Sequence, residues 1–410
     1  MRAETDDCFL LIHIFKRLVI DMRVEDKILV MLCKNELNAI KAIKEETFDW
    51  LYFIRQAVSH DVAGLLHPAF FEDYSIPRWV RNIIDSIYNN QKNLGNLMIE
   101  EFHNIVFEIQ RENIDVIILK GMYLVPEIYK DAGLRPFGDL DILVKESDVK
   151  KINQILRANG YTQGRYNAKN GTIEEFPESE LKKYSDGLQH EAEYVAKRNL
   201  PQNNYETIFC KIDVHKRINT TSDYNTIPVK DLLCRSQCYD STCGKRFKKL
   251  SREDMLIHLC YHLYWHTQSL QDIARRTDAS LKLFVDIRTF IMAERPDINL
   301  VLEYAQKANM LMAVRFSLYF AQKLFGDILT NDEFEKLGEA IELETEGKVV
   351  RDRWITDADT EIVRFQYDYL SRLFDYFRFS KIDLMQISAK YEHEKTRPYF
   401  TQLREMAKES

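Results

Sequence analysis

A segment with β-strand patterning lies between two long stretches whose apolar residues repeat with the period of an α-helix. Residues 1–112 show the helical period, most clearly as an apolar stripe at three- and four-residue spacing between Leu94 and Ile109. Runs of strand length occur within residues 113–220, and the helical period returns over residues 221–410. This order predicts an α+β fold, in which a small mixed sheet with flanking helices lies between helical N- and C-terminal domains.

Composition agrees with this fold and excludes several classes of protein. The chain has 410 residues, more than one ordinary core accommodates, and its 13 glycines and 9 prolines favour long helices over linkers. The net charge of −7 argues against a generic nucleic-acid binder, which needs many Lys and Arg contacts to phosphates. The 7 cysteines lack a disulfide framework, and no run approaches the roughly 20 apolar residues that cross a bilayer. We therefore expect a cytoplasmic protein with no membrane partner.

The central segment begins as strand, helix, strand and helix. Ile114–Leu119 is an apolar run of strand length that ends at Lys120–Gly121. A short helix is predicted over Met122–Tyr129, and a second strand over Asp139–Val144. The helix after this strand is expected to end at Gly160, because glycine is common just past a helix C-terminus.

Later elements are predicted from the same patterns. Residues 164–181 are polar and without period, which predicts a surface excursion, and Leu188–Ala196 and Tyr205–Ile218 predict two more strands. Beyond Asn219, the helices are predicted over Met255–Trp265, Leu281–Met292, Leu300–Phe325 and Glu361–Phe379.

Two aspartates on the second predicted strand are the most informative residues for function. Positions i and i+2 of a strand face the same side, so Asp139 and Asp141 present two carboxylates to one point. Two like charges this close need a cation, and Mg²⁺ prefers carboxylate oxygens, water and substrate phosphates. An Asp-x-Asp pair alone is common on solvated strand edges, so the neighbouring residues decide between the two interpretations.

The residues around this pair fit the same chemistry. Gly121, between a strand and a helix, would let backbone N–H groups approach a phosphate. Lys120 and Arg135 could supply positive charge to a triphosphate, Arg135 with two parallel hydrogen bonds. Asp213, on the later strand Lys211–His215, could contribute a third carboxylate. Together these residues favour a phosphoryl-transfer site over a solvated strand.

These motifs resemble those of a known family. The matching residues are Leu119–Gly121, Tyr129, Leu134–Arg135, Gly138–Val144, Gly160–Tyr161, Asp213–His215, the His-bearing helix 259–266 and Phe284–Asp286. The set is similar to the signature of an uncharacterised bacterial nucleotidyltransferase family within the DNA polymerase β-like superfamily. The similarity extends over most of residues 45 to about 330, and its specific motifs lie between residues 119 and 144.

The resemblance implies a polymerase β-like core and a particular reaction. A nucleoside monophosphate would be transferred from an NTP to a hydroxyl acceptor with release of pyrophosphate, and Mg²⁺ would be the cofactor. Asp139, Asp141 and Asp213 would be the catalytic and metal-binding residues, and Asp213 would assist deprotonation of the acceptor. Gly121 would lie beneath the NTP phosphates.

Other candidate residues have ordinary structural explanations. His258, His262 and His266 share one helix face and could bind zinc, but packing of that face against the catalytic domain is the favoured interpretation. If the face borders the cleft, His262 or His266 could touch the nucleotide. Glu191 and Glu193 share a strand face and are expected to be solvated.

The remaining clusters are also assigned to ordinary surface features. Cys234, Cys238 and Cys243 have no second pair of zinc ligands and are interpreted as coincidental thiols. The basic run over residues 245–249 is interpreted as a solvated loop, with contact to RNA or a phosphorylated acceptor as the minority interpretation.

Two rival functions remain open from the sequence. One is a non-catalytic nucleotide-binding or scaffold protein that retains the fold, and the other is a toxin that nucleotidylates RNA. A small-molecule acceptor is preferred to RNA or protein, and the oligomeric state is left open.

Overall fold

The computed structural model describes residues 22–43, 47–167, 170–187, 190–199, 207–218, 227–241, 244–269, 272–273, 277–351, 363–365 and 368–374. The chain divides into two compact units. The sheet unit comprises residues 63–261 and 289–314. The helical unit comprises residues 1–62, 262–288 and 315–410. The division into three domains at residues 112 and 220 stays a prediction.

An eight-stranded mixed sheet forms the centre of the described part of the sheet unit. Its strands are β1 (Val116–Ile118), β2 (Asp139–Val144), β3 (Thr162–Asn167), β4 (Thr172–Glu175), β5 (Tyr194–Asn199), β6 (Thr207–His215), β7 (Gln237–Asp240) and β8 (Arg246–Lys249). Their spatial order is β4-β3-β5-β6-β2-β1-β8-β7. β2 pairs with β6 and β1 with β8 in parallel, and the other neighbours are antiparallel. Each central strand is therefore hydrogen-bonded to a neighbouring strand along both of its edges.

The strands agree with the sequence patterns in the centre of the sheet and depart from them at its edges. β2 has the predicted bounds, and β1 is shorter than the predicted run. The polar stretch 164–181 was expected to be a surface excursion. It contains most of the hairpin β3–β4 and the start of a helix. Most side chains of β4 are exposed, so this strand lacks the alternation of apolar and polar residues that marks a half-buried strand. The hairpin β7–β8 lies where helix was expected, because two strands of four residues each carry too little periodicity.

Helices are found in both units and make up most of the described residues of the helical unit. They are α1 (Val24–Cys33), α2 (Trp50–Ser59), α3 (His67–Phe70), α4 (Arg78–Arg111), α5 (Lys120–Tyr123), α6 (Val149–Ala158), α7 (Glu178–Gly187), α8 (Val229–Arg235), α9 (Arg252–Gln268), α10 (Leu281–Glu294), α11 (Ile298–Lys307), α12 (Leu311–Phe325), α13 (Asn331–Glu335), α14 (Ala340–Glu346) and α15 (Tyr369–Phe374). Short 3₁₀ segments cover Leu37–Ala42, Ala63–Leu66 and Glu146–Asp148, and a π-helical segment covers Leu124–Tyr129. Within the described residues, no helix has the length and apolar character to cross a membrane.

Two predicted helices of the C-terminal part are not found as single helices in the described residues. Leu300–Phe325 was expected as one helix, and this is wrong: α11 and α12 are separate, because Asn309 between them adopts a left-handed backbone with φ 55°. The predicted helix Glu361–Phe379 lies mostly outside the described residues, and α15 falls within it. A two-stranded pair, Val349–Val350 with Val363–Arg364, completes the described elements of the helical unit.

Helix α4 buries the predicted apolar stripe and fixes the loop that leads into β2. Phe102 and Ile109 of this stripe have no exposed surface. Tyr88 of α4 donates a 2.6 Å hydrogen bond to Asp131 in the loop. The backbone of Gly133 packs so closely on the Tyr88 ring that a Cβ atom there would lie 2.4 Å from it. A residue with a side chain would push the loop off the helix and shift the start of β2.

A buried carboxyl in the helical unit makes the stability of that unit depend on pH. Asp26, in the first turn of α1, is 2 % exposed, and Tyr52 donates a 3.1 Å hydrogen bond to its Oδ2. Its Oδ1 has no hydrogen-bond partner within the part of the chain that the structure describes. Burial raises the pKa of Asp26 to about 7, against the lowering effects of the Tyr52 hydrogen bond and the charge of Arg23.

Asp26→Asn is expected to raise the midpoint of thermal unfolding near neutral pH and above, because asparagine keeps the acceptor for Tyr52 without a charge. The pKa of Asp26 is about 7 in the folded protein, whereas an aspartate in the unfolded chain has an ordinary pKa of 3.8. Unfolding therefore releases a proton between these pH values, so native stability falls as pH rises through that window. The gap of about 3 units corresponds to about 4 kcal/mol at most.

Circular dichroism melts from about pH 3.5 to about pH 8 would measure this effect. The increase in the unfolding midpoint on Asp26→Asn should be close to zero at the acidic end of this range. It should reach its plateau above the pKa that Asp26 has in the folded protein. Asp231→Asn is the matched control, since Asp231 also lies in the first turn of a helix but is exposed. A gain for Asp26→Asn that is the same at all pH values would contradict the assignment.

Candidate functional site

The register between β2 and β6 gathers the candidate residues on one face of the sheet. Asp141 lies opposite Asp213, Asp139 opposite Lys211, and Leu143 opposite His215. Paired residues of neighbouring strands share a face, so the three aspartates lie on the same side. The alternating residues, which are Leu140, Ile142, Val144, Ile212 and Val214, have no exposed surface on the other side. Burial of this apolar set fixes the register, because a shift by one residue would turn every carboxylate into the core.

Three side chains from these two strands could hold a metal ion. Among the described residues, ligand atoms of Asp141, Asp213 and His215 all lie within 4.8 Å of one another. Nε2 of His215 is 2.8 Å from Oδ1 of Asp141, and both residues are buried. Asp139 is two residues before Asp141 on the same face but is not part of this group. The group therefore differs from the predicted set by including a histidine that the sequence analysis placed on the strand without assigning it a role.

Lys120 supplies a positive charge directly to this group. Its Nζ lies 3.1 Å from Oδ1 of Asp141, and its side chain is 17 % exposed. Lys120 follows β1 with a left-handed backbone, φ 41°, while the N–H of Leu119 still bonds the carbonyl oxygen of Asp141 at 3.0 Å. Burial alone would lower the pKa of Lys120, but the charges of Asp141 and Asp139 raise it above its ordinary value. Lys120 therefore stays a cation beside the carboxylates.

The carboxylates are crowded enough to alter their own ionisation. Burial raises the pKa of Asp213 well above its ordinary range, and the charges of Asp141, Asp139 and Glu193 add to this effect. Glu193 lies just before β5, and its carboxylate pairs with Lys211 at 3.1 Å. Glu193 was expected to be solvated. Its position on the same strand face as Glu191 was the only sequence feature that could have indicated a role near the aspartates. The site therefore holds four acidic groups and attracts either a proton or a cation.

Gly121 and Arg135 lie next to each other, as a shared role in phosphate binding would need. A Cβ atom on Gly121 would lie 3.1 Å from Nη1 of Arg135 and 3.0 Å from Cβ of Phe137. Arg135 is 7 % exposed, and its Nη1 also donates a 3.2 Å hydrogen bond to the carbonyl oxygen of Pro136. A side chain at position 121 would displace the guanidinium. The loop before β2 thus brings a fixed positive charge to the turn after β1.

Two further imidazoles lie near Asp141, one of them from a helix. The rings of His190 and His215 have centroids 5.6 Å apart. Burial, followed by the charge of His215, lowers the pKa of His190 to about 4. Burial, followed by the charge of Lys120, lowers the pKa of His258 on α9 to about 3. These two rings are therefore neutral at physiological pH and add no charge to the site. His262 and His266, which follow on the same helix, belong to the helical unit.

The other candidate clusters do not form sites among the described residues. Cys234 and Cys238 are exposed free thiols, and Cys243 lies outside the described residues. Glu191 is buried and pairs with Lys216 at 2.9 Å, so it is not solvated as expected.

Two of the four basic residues in the run over residues 245–249 are paired with carboxylates. Lys248 pairs with Asp115 at 2.6 Å, and Lys249 pairs with Glu294 at 2.8 Å. Lys249 is also 9 % exposed. The run is therefore not the continuous solvated patch that its sequence suggests.

The sheet and its acidic site agree with a comparison against protein families. A family model described as "Uncharacterised nucleotidyltransferase" matches residues 46–326, more than half of the chain. The chain therefore belongs to this nucleotidyltransferase family, which confirms the family predicted from its motifs. No curated protein and no solved structure matches it significantly.

Lys120→Met tests the electrostatic description of the site. Removing the ammonium takes away a positive charge that contacts Asp141, and breaking such a buried pair costs about 3 kcal/mol of unfolding free energy. Urea unfolding in the presence of EDTA would measure the loss, and an added divalent cation should restore part of it. Lys130→Met is the matched control, since Lys130 is exposed and also has a positive φ, 60°. Equal losses in the two variants would contradict the description.

Proposed function

We propose that this chain is a Mg²⁺-dependent enzyme that transfers a nucleoside monophosphate from an NTP to a hydroxyl acceptor and releases pyrophosphate. Membership of a nucleotidyltransferase family supports the NTP as substrate. The strongest structural support is the in-register placement of Asp141 and Asp213 on parallel strands, with Asp139 on the same face. Rigid strands hold these oxygens in place before a substrate binds, which is what catalysis by positioning and electrostatics requires.

The donor atoms of this site fit a divalent cation. Ligand atoms from two strands converge within 4.8 Å. Burial, followed by the charges of Asp141, Asp139 and Glu193, raises the pKa of Asp213, and a bound cation would offset these charges. Because Mg²⁺ prefers oxygen ligands, Asp139, Asp141 and Asp213 would hold one or two ions, while His215 orients Asp141 through their 2.8 Å hydrogen bond. Bound Mg²⁺ would supply positive charge to the phosphates and favour the deprotonated acceptor oxygen.

Side chains of the site would accept the proton and bind the phosphates during the transfer. The acceptor oxygen forms a bond to the α-phosphorus, and the bond from that phosphorus to the bridging oxygen of the β-phosphate breaks, so that pyrophosphate leaves with the electron pair. Asp213 would accept the proton of the hydroxyl group. Lys120 and Arg135 would contact the triphosphate oxygens beside Gly121, where the missing side chain leaves room for the Arg135 guanidinium.

The charge distribution favours a small-molecule acceptor over RNA. Two lysines of the basic run at residues 245–249 are paired with carboxylates, and the chain has a net charge of −7. Binding to RNA depends on cations that are available to phosphates. The rival interpretation as an RNA-nucleotidylating toxin is therefore the weaker one, and the test below includes it.

The experiment incubates the purified chain with α-labelled NTPs, Mg²⁺ and either the low-molecular-weight or the RNA fraction of a cell extract. We expect pyrophosphate release and transfer of label to a small molecule. Asp139→Ala and Asp141→Ala should each lower the rate at least about 100-fold. Asp240→Ala is the matched control, since Asp240 is exposed on β7, three strands from β2 in the same sheet.

Each alternative has its own outcome in this experiment. Full activity of either β2 variant would refute the roles of these aspartates. NTP binding without pyrophosphate release in any fraction would support the non-catalytic protein, and label in RNA would support the toxin. Circular dichroism of each variant checks that loss of activity is not loss of fold.

A further inference from the structure

A second pair of histidines lies in the helical unit, on the C-terminal half of α9. His262 and His266 are four residues apart, so their side chains are neighbours on one helix face. Their rings are nearly perpendicular, at 89°, with centroids 4.6 Å apart. Their Nε2 atoms lie 3.2 Å from each other. The two nitrogens therefore face a common point.

The distance between these nitrogens fits two ligands of one metal ion. Imidazole nitrogens bind Zn²⁺ at about 2.0–2.1 Å. Two such nitrogens 3.2 Å apart would subtend an angle of about 100° at the ion, near the tetrahedral value. A ring-to-ring hydrogen bond also fits 3.2 Å, provided that one of the two Nε2 atoms carries a proton. The position of the proton on each ring therefore matters.

Asp272 favours the form of His266 whose Nε2 has a free lone pair. Its Oδ2 lies 3.2 Å from Nδ1 of His266, as an ion-pair contact rather than an aligned hydrogen bond. The negative charge draws the ring proton to Nδ1. Asp272 is itself held in place, because its N–H donates to Ser269 Oγ and its Oδ1 accepts from Thr277 Oγ1, both at 3.2 Å. A carboxylate behind a histidine is the usual support of a metal-binding imidazole.

Neither histidine of the pair is fully buried. The side chain of His266 is 26 % exposed and that of Asp272 is 17 % exposed. The adjacent helix positions Leu263 and Thr267 are buried, so the helix backbone beneath the pair is anchored. An ion at this position could reach both nitrogens and complete its coordination with solvent.

We propose that His262 and His266 form a binding site for a divalent first-row transition metal of the zinc class, with Asp272 as the positioning residue. Two imidazole nitrogens select such metals over Mg²⁺, whereas the carboxylates of β2 and β6 have the opposite preference. The proposal uses none of the residues assigned to nucleotidyl transfer, and it does not depend on the function proposed for them.

Zn²⁺ titration of the untagged full-length chain in excess Mg²⁺, followed by calorimetry, tests the site. The native chain should bind one more equivalent of Zn²⁺ than His262→Gln or His266→Gln, and Asp272→Asn should weaken this binding about 10-fold. The Asp141→Asn variant should still bind this additional equivalent of Zn²⁺, which distinguishes the histidine site from the one on β2. His67→Gln is the matched control, since His67 also contacts a carboxylate, Asp85 at 3.1 Å, but has no histidine four residues on.

A spectrum of the native chain gives a readout that needs no variant. One equivalent of Cu²⁺ should show electron paramagnetic resonance couplings to two nitrogen nuclei. Equal Zn²⁺ stoichiometry in the native chain and both glutamine variants would overturn the proposal, and so would a Cu²⁺ spectrum without nitrogen coupling.

Discussion

Negative charge concentrated on one face of two parallel strands is the constraint on which the rest of the site depends. The register of β2 and β6 sets Asp141 opposite Asp213, and burial of the alternating apolar residues prevents the strands from shifting. Carboxylates held this close repel each other in a poorly hydrated setting. The fold therefore has to provide positive charge, and the way it does so determines the local structure around the strands.

The positive charge near the carboxylates comes from a lysine with a left-handed backbone and from a buried arginine. Lys120 accepts a left-handed backbone to bring its ammonium within 3.1 Å of Asp141, while Arg135 is buried beside the backbone of Gly121. His215 contacts the same oxygen of Asp141 as the ammonium does. A cation bound by the carboxylates would share this charge balance. The local strain at Lys120 is of the kind found at functional sites, where the surrounding structure maintains it.

The sequence predicted what depends on local periodicity and missed what depends on distant contacts. Asp139 and Asp141 follow from the two-residue repeat of a strand, and the bounds of β2 were correct for the same reason. The pairing of Asp141 with Asp213 depends on the register of strands far apart in the chain, so the sequence offered Asp213 as a third carboxylate on a later strand but not its position opposite Asp141. The contact of Lys120 with Asp141 depends on a backbone turn that no pattern predicts. The strands β7 and β8 are too short to carry a recognisable period.

Electron paramagnetic resonance of bound Mn²⁺, used in place of Mg²⁺ with a non-hydrolysable NTP analogue, shows whether the acidic face of β2 and β6 holds a metal ion beside a nucleotide. We predict one tight Mn²⁺ site with coupling to ³¹P nuclei of the triphosphate, and loss of that site in the Asp141→Asn, Asp213→Asn double variant. Unchanged Mn²⁺ binding in a folded double variant, or bound Mn²⁺ without phosphorus coupling, would contradict it.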